Sequence, residues 1–489
     1  MNNRLNENVK DYSLVSRRRF LKYSGLLGLS LMGCSSLKKW KGQNTRPNIL
    51  FLCIDDLNDW VGCMGGHPDA KTPNMDRLAA NGMLFTNAHC PAPLCGPCRA
   101  AFLSGIAPYN TGVYKNRNRL RNSSVLENTV LMPKSFKEAG YYVSGTGKIF
   151  HEADHEPDNW HEYWPAIDVP NPETYAPPES EMPLHGMPVP KKAWGNDFGP
   201  IPVPNEETRD WKTAGWAARR LRSNELSEPF FLAWGCKKPH VPLYAPQKYF
   251  DMYPLDKIKM PVILENDLDD VPQAAREIGS YSWPWKPHEY FKKYGKQREC
   301  VQAYLACVSY VDDCVGRVLK GLEESSYKDN TIVVLVSDHG IHKGEKENWS
   351  KYTLWEEATR VPMMFSGPGI KSGSESAEPV NLLDLYPTFA QICGLKTDVP
   401  FDGSSITDII ANPKAVFNRI SVTAYGPHLN SVRSRDWRYI RYDDGSEELY
   451  NHIEDPYEWH NLASKPEFKT IKEALAAHIP QKQAESSRK

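Results

Sequence analysis

The sequence predicts an α/β fold, a sheet whose two faces are covered by helices. Three nearly continuous apolar runs, residues 47–54, 230–234 and 331–336, have the composition of parallel strands that are buried on both faces. Segments with helical character separate these runs, and strands that alternate with helices build this class of sheet.

The other elements of this core fit between the three strands. Residues 72–79 predict a capped helix with proline in its first turn. Further helices are expected at residues 131–139 and 301–322, and a short strand at residues 141–143.

Two regions differ from the core in composition. Eleven prolines fall between residues 165 and 204, too many for a regular helix or a central strand, so this stretch predicts a surface excursion near the mouth of a site. After residue 417, short alternating segments predict a small antiparallel subdomain. Its expected elements are strands at 421–425, 437–442 and 448–450 and a helix at 471–478.

The first 34 residues resemble an export signal rather than part of the fold. Arg17 and Arg18 precede an apolar stretch, as in twin-arginine signals, and this stretch is too short to remain as a membrane-spanning helix. It ends at a segment similar to a bacterial lipobox, with Cys34 as the acylated residue. We therefore expect the chain to use the export machinery and to be periplasmic or a membrane-anchored bacterial lipoprotein. The alternative is a basic, poorly ordered N-terminus.

The composition limits the partners of the chain. A net charge of −1 over 489 residues provides no general basic surface, so nucleic acid is not an expected partner. Any anion site must therefore be a local cluster of cations. The expected organisation is a signal at 1–34, a linker at 35–46, a main domain at 47–416 and the C-terminal subdomain at 417–489.

Three of the eleven cysteines predict packing rather than chemistry. Cys300, Cys307 and Cys314 recur every seven residues and therefore share one stripe of the long helix. No pair of Cys-x-x-Cys motifs indicates a zinc site. Cys95 and Cys98 do match a redox pair at a helix start, where the pKa of a thiol falls.

Three acidic residues directly follow predicted buried strands. These are Asp55, Asp56 and Asp338, and His339 stands beside the last of them. The carboxyl ends of the strands in such sheets meet at one edge, so the carboxylates are expected to converge there. Converging carboxylates repel each other unless a hard cation lies between them, which predicts a metal site. The alternative is that each aspartate only caps a turn.

A set of cations also follows or flanks predicted strand ends and loops. If these side chains converge on the same edge, they form a pocket for a doubly charged anion such as sulfate or phosphate. Taken singly, a lysine or histidine is usually a solvated surface residue. The set consists of Lys148, His151, Lys238, His240 and Lys351.

One segment carries a specific family resemblance. Cys95-Gly96-Pro97-Cys98-Arg99, followed by a small apolar run, resembles the sulfatase signature, in which serine usually stands where Cys98 does. In that family the formylglycine-generating enzyme oxidises the cysteine to formylglycine (3-oxoalanine), whose hydrate is the nucleophile. The resemblance implies this modification at Cys95.

The resemblance extends over nearly all of the expected mature chain and favours the iduronate-2-sulfatase-like branch. It implies an alkaline-phosphatase-like mixed sheet sandwiched by helices, with a small C-terminal antiparallel α+β subdomain. The expected activity is hydrolysis of sulfate esters on a sulfated carbohydrate. The supporting motifs are Asp55-Asp56, Gly147-Lys148, Lys238-Pro239-His240, Asp338-His339-Gly340 and Trp349-Ser350-Lys351.

The resemblance also implies a role for each site residue. His240 would protonate the leaving alcohol, His151 would deprotonate the second hydroxyl of the hydrate, and Arg99 would anchor the nucleophile loop. The implied Ca²⁺ ligands are Asp55, Asp56, Cys95, Asp338 and His339. The implied catalytic residues are Cys95, Arg99, Lys148, His151, His240 and Lys351. The implied sulfate-binding residues are Lys148, His240 and Lys351, with Lys238 as either a substrate contact or a surface residue.

Two other functions are compatible with parts of this pattern. A phosphomonoesterase or phosphodiesterase of the alkaline phosphatase superfamily would share the metal edge, although it has no need of an oxidisable cysteine. A non-catalytic, glycan-binding surface lipoprotein would share the export signal, although loss of ligand residues would be expected in it.

Overall fold

The computed structural model of the chain describes residues 46–151, 154, 156–165, 177–280 and 287–487. The expected signal with Cys34, the expected linker up to residue 45 and residues 166–176 of the proline-rich stretch lie outside the described residues. Within the described part, no helix combines the length and the apolar composition that crossing a membrane requires.

The strands and helices alternate along the main part of the chain. The strands are β1 (Asn48–Asp55), β2 (Gly82–Phe85), β3 (Ala88–His89), β4 (Tyr142–Gly147), β5 (Glu162–Trp164), β6 (Phe198–Ile201), β7 (Phe230–Pro239), β8 (Leu243–Pro246), β9 (Thr331–Ser337), β10 (Met363–Ser366), β11 (Ser374–Ser376), β12 (Val380–Asn381), β13 (Ser421–Gly426), β14 (Leu429–Arg433), β15 (Trp437–Arg441) and β16 (Glu447–Asn451). The α-helices are α1 (Pro73–Ala80), α2 (Cys95–Ser104), α3 (Pro108–Thr111), α4 (Met132–Glu138), α5 (Arg209–Arg222), α6 (Gln247–Asp251), α7 (Gln273–Ser280), α8 (Pro287–Tyr294), α9 (Gln297–Glu323), α10 (Glu356–Thr359), α11 (Leu385–Cys393), α12 (Thr407–Ala411) and α13 (Lys469–Ala476).

An eight-stranded mixed sheet lies at the centre, in the order β11–β2–β10–β9–β1–β7–β4–β5. The five strands from β9 to β5 run parallel, whereas β10 runs antiparallel to both β9 and β2. Every residue of β1 and β9 is buried, as their continuous apolar runs predict. The predicted α/β class with a mixed sheet is therefore confirmed.

Alternate side chains of β1 enter two different cores, because successive residues of a strand point to opposite faces. Leu50 and Leu52 join the cluster that α1, α5 and α9 build on one face. Phe51 lies on the other face, where its ring contacts those of Phe231 at 6.2 Å and Phe389 of α11 at 6.2 Å between centroids. Helices thus cover both faces of the sheet.

Helix α9 carries the three regularly spaced cysteines into the first of these cores. Cys300, Cys307 and Cys314 are buried, and none of them forms a disulfide. They belong to the hydrophobic cluster that α9 shares with α5. The prediction that they pack rather than react is consistent with this position.

Helix α1 is capped differently from the prediction. The Thr72 side chain does not cap it, because its hydroxyl accepts from the backbone N–H of Gly62 at 2.8 Å and donates to Asp76 at 3.1 Å. The carboxylate of Asp312 on α9 accepts the backbone N–H groups of Asn74 at 3.0 Å and Met75 at 2.8 Å instead. A tertiary contact therefore satisfies the donors that a local cap would otherwise take.

The C-terminal region forms its own four-stranded antiparallel sheet, in the order β13–β14–β15–β16. Its predicted strands correspond to β13, β15 and β16, and its predicted helix to α13. Buried Arg438 of β15 pairs with Glu356 of α10 and with Glu458 at 2.5 Å, which ties this sheet to the main domain. In the described part of the proline-rich stretch, β6 pairs only with β8 in a two-stranded sheet.

Two glycines allow β4 and β7 to approach closely where they reach the carboxyl edge. Gly147 has a φ of 78°, and the backbone N–H of Lys148 donates to the carbonyl of Gly235 at 2.9 Å. A Cβ atom at Gly235 would lie 2.1 Å from the carbonyl carbon of Lys148. The position of Lys148 therefore depends on the absence of a side chain at Gly235.

We predict that Gly235→Ala lowers the free energy of unfolding by about 1–3 kcal/mol, because overpacking forces the Lys148 backbone to move. Gly195→Ala is the matched control, since a Cβ atom at Gly195 would meet no heavy atom of a non-neighbouring residue within 4 Å, and its stability should stay near the wild-type value. Urea unfolding curves measure both variants. Equal stability of the two variants would contradict the proposed contact.

Candidate active site

Three carboxylates meet at the carboxyl edge of the central sheet. Asp55 ends β1, Asp56 follows it, and Asp338 comes directly after β9, the parallel neighbour of β1. All three side chains are fully buried. The backbone N–H of Asp56 donates to a carboxylate oxygen of Asp338 at 3.1 Å. The structure therefore brings together the acidic residues that the strand ends predict.

Cys95 stands at the first turn of α2 and points into this cluster. Its sulfur lies 3.1 Å from the Nζ of Lys351, 3.3 Å from the Nε2 of His339 and 3.8 Å from the Oδ1 of Asp56. Every residue of α2 is buried, and Cys95 itself is 0% exposed. The thiol therefore lies between the acidic edge and a buried ammonium group.

The backbone of Asp56 is held in an uncommon conformation. Its φ is 62°, in the left-handed region that non-glycine residues seldom adopt. The Tyr304 hydroxyl from α9 donates to the Asp56 carbonyl at 2.8 Å and accepts from the backbone N–H of Asn58 at 3.0 Å. This contact fixes the turn that aims the Asp56 carboxylate at Cys95, consistent with strain retained at a functional site.

Two features of this cluster fit a cation. The Oδ2 atom of Asp56 is buried and has no hydrogen-bond partner among the described residues. The Nδ1 of His339 lies 2.9 Å from the Gly340 carbonyl and therefore donates to it, so Nε2 is the ring nitrogen that faces Cys95 and Asp56. Ligand atoms of Asp55, Cys95, Asp338 and His339 all lie within 4.8 Å of one another.

Burial and neighbouring charges shift the pKa values of the buried carboxylates in opposite directions. Burial and the neighbouring Asp55 raise the pKa of Asp338. Burial acts in the same direction on Asp56, but the nearby His240 and Lys351 lower its pKa below the ordinary value. Carboxylates in one dry site cannot all ionise without positive charge beside them. The cluster therefore requires cations, whether from side chains or from a metal.

Arg99 supplies part of that charge from α2, the helix that Cys95 begins. Its guanidinium donates to Asp338 at 2.9 Å and to Asp55 at 3.2 Å, and it is fully buried. The same group donates to the backbone carbonyls of Lys148 and Ile149. Arg99 thus joins α2, both acidic strand ends and the segment after β4, and acts as a positioning residue.

Two lysines complete the inner part of the site. Lys148 pairs with Asp55, and Lys351 pairs with Asp56 at 2.5 Å. Burial opposes the charge of both ammonium groups, but the adjacent carboxylates raise the pKa of each. Both lysines are therefore positively charged beside residue 95.

Two histidines flank the same space. His240 offers a ring nitrogen within 4.8 Å of ligand atoms from Asp55, Asp56 and Cys95. Its Nδ1 lies 2.7 Å from the Val241 carbonyl, which leaves Nε2 for the cluster. The ring of His151 lies close to Gly96, and burial together with Lys148 lowers its pKa to about 3. His151 is therefore neutral at ordinary pH, and its imidazole can accept a proton.

Lys238 makes different contacts from the other cations. Its ammonium donates to the carbonyls of His240 at 3.2 Å and of Pro242, and it faces the ring of Tyr244. Asp210 of α5 accepts the backbone N–H of Lys238 at 3.0 Å. Lys238 therefore braces the loop that carries His240.

The thiol of Cys98 is held by the backbone at the acidic edge. Its sulfur donates to the backbone carbonyl of Asp338 at 2.7 Å, and burial raises the pKa of the thiol well above its ordinary value. Both cysteines are free thiols. A reactive redox pair needs a stabilised thiolate, so this arrangement argues against the redox interpretation.

Sequence reasoning missed the residues that brace the site from a distance. Tyr304 belongs to a continuous buried stripe of α9, where an aromatic residue is typical of core packing. Asn116 accepts the backbone N–H of Gly96 at 2.8 Å from a loop without a recognisable motif. The only signal for either residue is the three-dimensional contact itself.

Comparisons with known proteins found two matching family models and several related sequences. The family model described as "Sulfatase" matches residues 47–395, and that described as "N-sulphoglucosamine sulphohydrolase, C-terminal" matches residues 344–485. A sulfatase of Formosa agariphila is 37% identical over 95% of this chain and 92% of its own length. Iduronate 2-sulfatase of Homo sapiens is 30% identical over 76% of this chain and 74% of its own length.

Solved structures share the fold at lower identity. A structure in complex with its substrate D-glucosamine-2-N,6-O-disulfate superposes with a TM-score of 0.68 at 22% identity, covering 88% of this chain and 96% of that chain. A phosphonate monoester hydrolase of Silicibacter pomeroyi superposes with a TM-score of 0.72 at 20% identity, covering 88% and 94%. These likenesses confirm the alkaline-phosphatase-like architecture.

We predict that Arg99→Met lowers the free energy of unfolding by about 3–5 kcal/mol, because it leaves two buried carboxylates without their shared partner. Arg77→Met is the control, since Arg77 pairs with Glu323 on the surface and should cost about 1 kcal/mol or less. Urea unfolding curves compare the two. A small effect of Arg99→Met would mean that the ion pairs do not hold the site together.

Proposed function

The chain belongs to the sulfatase family and is a sulfuric ester hydrolase, and from this premise we propose that it releases sulfate from a sulfated carbohydrate by means of a formylglycine at position 95 and a bound Ca²⁺. The observation that carries the proposal is the position of Cys95, at a helix start and among Asp56, His339 and Lys351. A thiol placed there meets both negative and positive groups, as a nucleophile for an anionic ester requires.

The proposed modification is supported by the Cys-x-Pro-x-Arg frame and by the way α2 presents it. The sulfur of Cys95 marks the place that the oxygens of a hydrated formylglycine would take, and such a hydrate supplies a hydroxyl nucleophile together with a second hydroxyl for its own regeneration. Cys98 in place of serine keeps a hydrogen-bond donor to the Asp338 carbonyl. The formylglycine-generating enzyme is therefore a proposed partner of the chain.

The proposed metal is supported by the donor set. Asp55, Asp56, Asp338, His339 and residue 95 would hold it, and carboxylate oxygens are the ligands that Ca²⁺ prefers. The unpartnered Oδ2 of Asp56 provides a ready ligand atom. When bound, Ca²⁺ offsets the repulsion among the carboxylates and polarises oxygens of the ester and of the nucleophile.

Positive side chains would hold the sulfate group against residue 95. Lys148 and Lys351 carry ammonium groups on two sides of the cluster, and His240 approaches it from the loop after β7. Fixed cations in a water-poor site stabilise the charge that spreads over sulfuryl oxygens as the ester bond breaks. Lys238 would act indirectly, through the loop that it braces.

Two histidines would move protons at defined atoms. His240 keeps its Nδ1 proton on the Val241 carbonyl, so a proton on Nε2 is the one available to the leaving alcohol oxygen. His151 is neutral, because its pKa is about 3, and it can accept a proton from a hydroxyl at residue 95. An unactivated sugar alcohol needs such an acid, since its alkoxide is a poor leaving group.

The proposed substrate class follows from the relatives and the site together. Iduronate 2-sulfatase, by its name, acts on a sulfated sugar acid, and the site described above suits a sulfate monoester of an alcohol. The phosphonate monoester hydrolase shares only the fold at 20% identity. The relatives at 30% identity or more reported above are sulfatases, which favours sulfate esters over phosphorus esters.

We also propose that the chain is exported, on the basis of the paired Arg17 and Arg18 and the lipobox-like segment that ends at Cys34. Twin-arginine export carries folded proteins, which suits a protein that receives a modification before crossing the membrane. Acylation at Cys34 would anchor it to a membrane surface.

We predict that Cys95→Ala lowers sulfate release by about 10³-fold or more, because the nucleophile is lost. The test is release of sulfate from a panel of sulfated saccharides by enzyme produced with a formylglycine-generating enzyme. Mass spectrometry of the peptide that contains residue 95 should show formylglycine in the wild-type protein.

Cys98→Ser is the matched control for the same experiment. A serine hydroxyl can donate to the Asp338 carbonyl as the thiol does, so activity and conversion should both persist. Active wild-type enzyme with an unmodified Cys95, or loss of activity in Cys98→Ser alone, would overturn the proposal.

For the metal, we predict that Ca²⁺ added to chelator-treated enzyme raises the free energy of unfolding, by about 2.7 kcal/mol at 100 times its Kd. Asp56→Asn should lose most of this gain, whereas Asp158→Asn, at an exposed position, should keep it. Urea unfolding with and without Ca²⁺ measures the difference. The same gain in both variants would place the ion elsewhere.

A further inference from the structure

We infer that a groove beside α5 is a second binding site, one that holds a sulfated saccharide chain outside the reacting centre. The inference rests on the proposed function for the choice of ligand. The groove has a volume of about 380 Å³, in the range of small-ligand sites. It is lined by Trp164, Glu206, Trp211, Lys212, Arg219 and Arg317.

The groove offers a rigid aromatic surface. The ring of Trp164 stacks on buried Trp216 with an interplanar angle of 9° and 6.3 Å between centroids. Trp211 is held by Arg317, whose guanidinium carbon lies 4.5 Å from the centre of the ring. The negative face of an indole ring attracts the partly positive C–H groups of a sugar ring. Two indoles of fixed orientation therefore suit a saccharide.

The same groove carries an excess of positive charge. Arg219 is exposed, Arg317 is partly buried, and neither pairs with a carboxylate anywhere in the described part of the chain. Burial, with Arg219 nearby, lowers the pKa of Arg317. Against these two arginines, the lining of the groove holds the single carboxylate of Glu206. Unpaired arginines bind the oxygens of sulfate groups by paired N–H donors.

Arg317 is placed in the groove by the packing of two helices. Gly215 of α5 gives it room, because a Cβ atom there would lie 2.7 Å from the guanidinium carbon. The guanidinium also donates to the Trp211 carbonyl at 2.8 Å, which occupies one of its five N–H groups. The remaining N–H groups of Arg317 therefore have fixed directions, because the side chain that carries them is held in place.

Both walls of the groove are connected to elements of the active site. Trp164 of β5 pairs with Thr146 of β4, two residues before Lys148. Trp211 follows Asp210, whose carboxylate accepts the backbone N–H groups of Lys237 at 2.9 Å and of Lys238 at 3.0 Å in the segment that leads to His240. The groove is therefore built on β5 and the start of α5, the two elements that also contact the segments bearing Lys148 and His240.

The test measures binding separately from hydrolysis. A heparin oligosaccharide and its chemically desulfated counterpart are titrated into the full chain carrying Cys95→Ala, and tryptophan fluorescence reports the Kd. The sulfated probe should bind, and binding should weaken as salt is raised. Adding Arg219→Ala and Arg317→Ala should raise the Kd about tenfold or more, equivalent to about 1.4 kcal/mol.

Two further variants keep the result clear. Arg219→Glu changes an exposed side chain without touching the packing of Arg317, and it should weaken binding on its own. Arg222→Ala removes the same charge from the same helix, but Arg222 already pairs with Glu324, so its Kd should match the parent protein. Equal binding of the desulfated probe, or an unchanged Kd in the Arg219 and Arg317 variants, would overturn the inference.

Hydrolysis of a small aryl sulfate by the enzyme with Cys95 intact separates this inference from the proposed function. The Arg219→Glu variant should retain the wild-type kcat/KM for that ester, because the ester is too small to reach the groove. If the wild-type enzyme hydrolyses no sulfate ester, the proposed function fails while the binding result still stands. A loss of small-ester activity in Arg219→Glu would contradict a separate site.

Discussion

Arg99 places one guanidinium between Asp55 and Asp338, two fully buried carboxylates that would otherwise repel each other. The same side chain binds the backbone after β4, so α2, two strand ends and the segment bearing Lys148 share a single contact point. Charge of this kind is expensive to bury and is retained only where several partners satisfy it. The remaining parts of the site are arranged around this contact. Lys148 pairs with Asp55, and Lys351 pairs with Asp56.

Support for the site comes from elements that carry no reactive group. The Tyr304 hydroxyl holds the left-handed turn at Asp56, Asp210 holds the loop before His240, and Gly235 lets the Lys148 backbone approach β7. Each contact joins the carboxyl edge to a helix or a neighbouring strand in the core. The geometry of the reacting groups therefore depends on the packing of the whole α/β layer, as precise placement of catalytic groups demands.

The sequence predicted the parts of this protein that follow from local pattern. Continuous apolar runs identified β1, β7 and β9, and the rule that parallel strands end at one edge placed Asp55 and Asp338 together. Contacts between distant segments could not be predicted in this way. Strand β14 was not predicted, because Asn430 and Ser431 are polar in sequence and are buried only through the pairing of β14 with β15. The helix cap from Asp312 and the brace from Tyr304 likewise require knowledge of how α9 packs.

The complete burial of Cys95 has a consequence for the order of events during biosynthesis. An oxidising enzyme must enclose the thiol and the residues around it, and in the finished fold α2 offers no surface at which this can happen. Under the proposed conversion, the thiol must be altered while the polypeptide is still nascent or unfolded, before β1 and β9 close over it. Maturation and folding would then compete in time, and a chain that folds too early would remain permanently without its nucleophile.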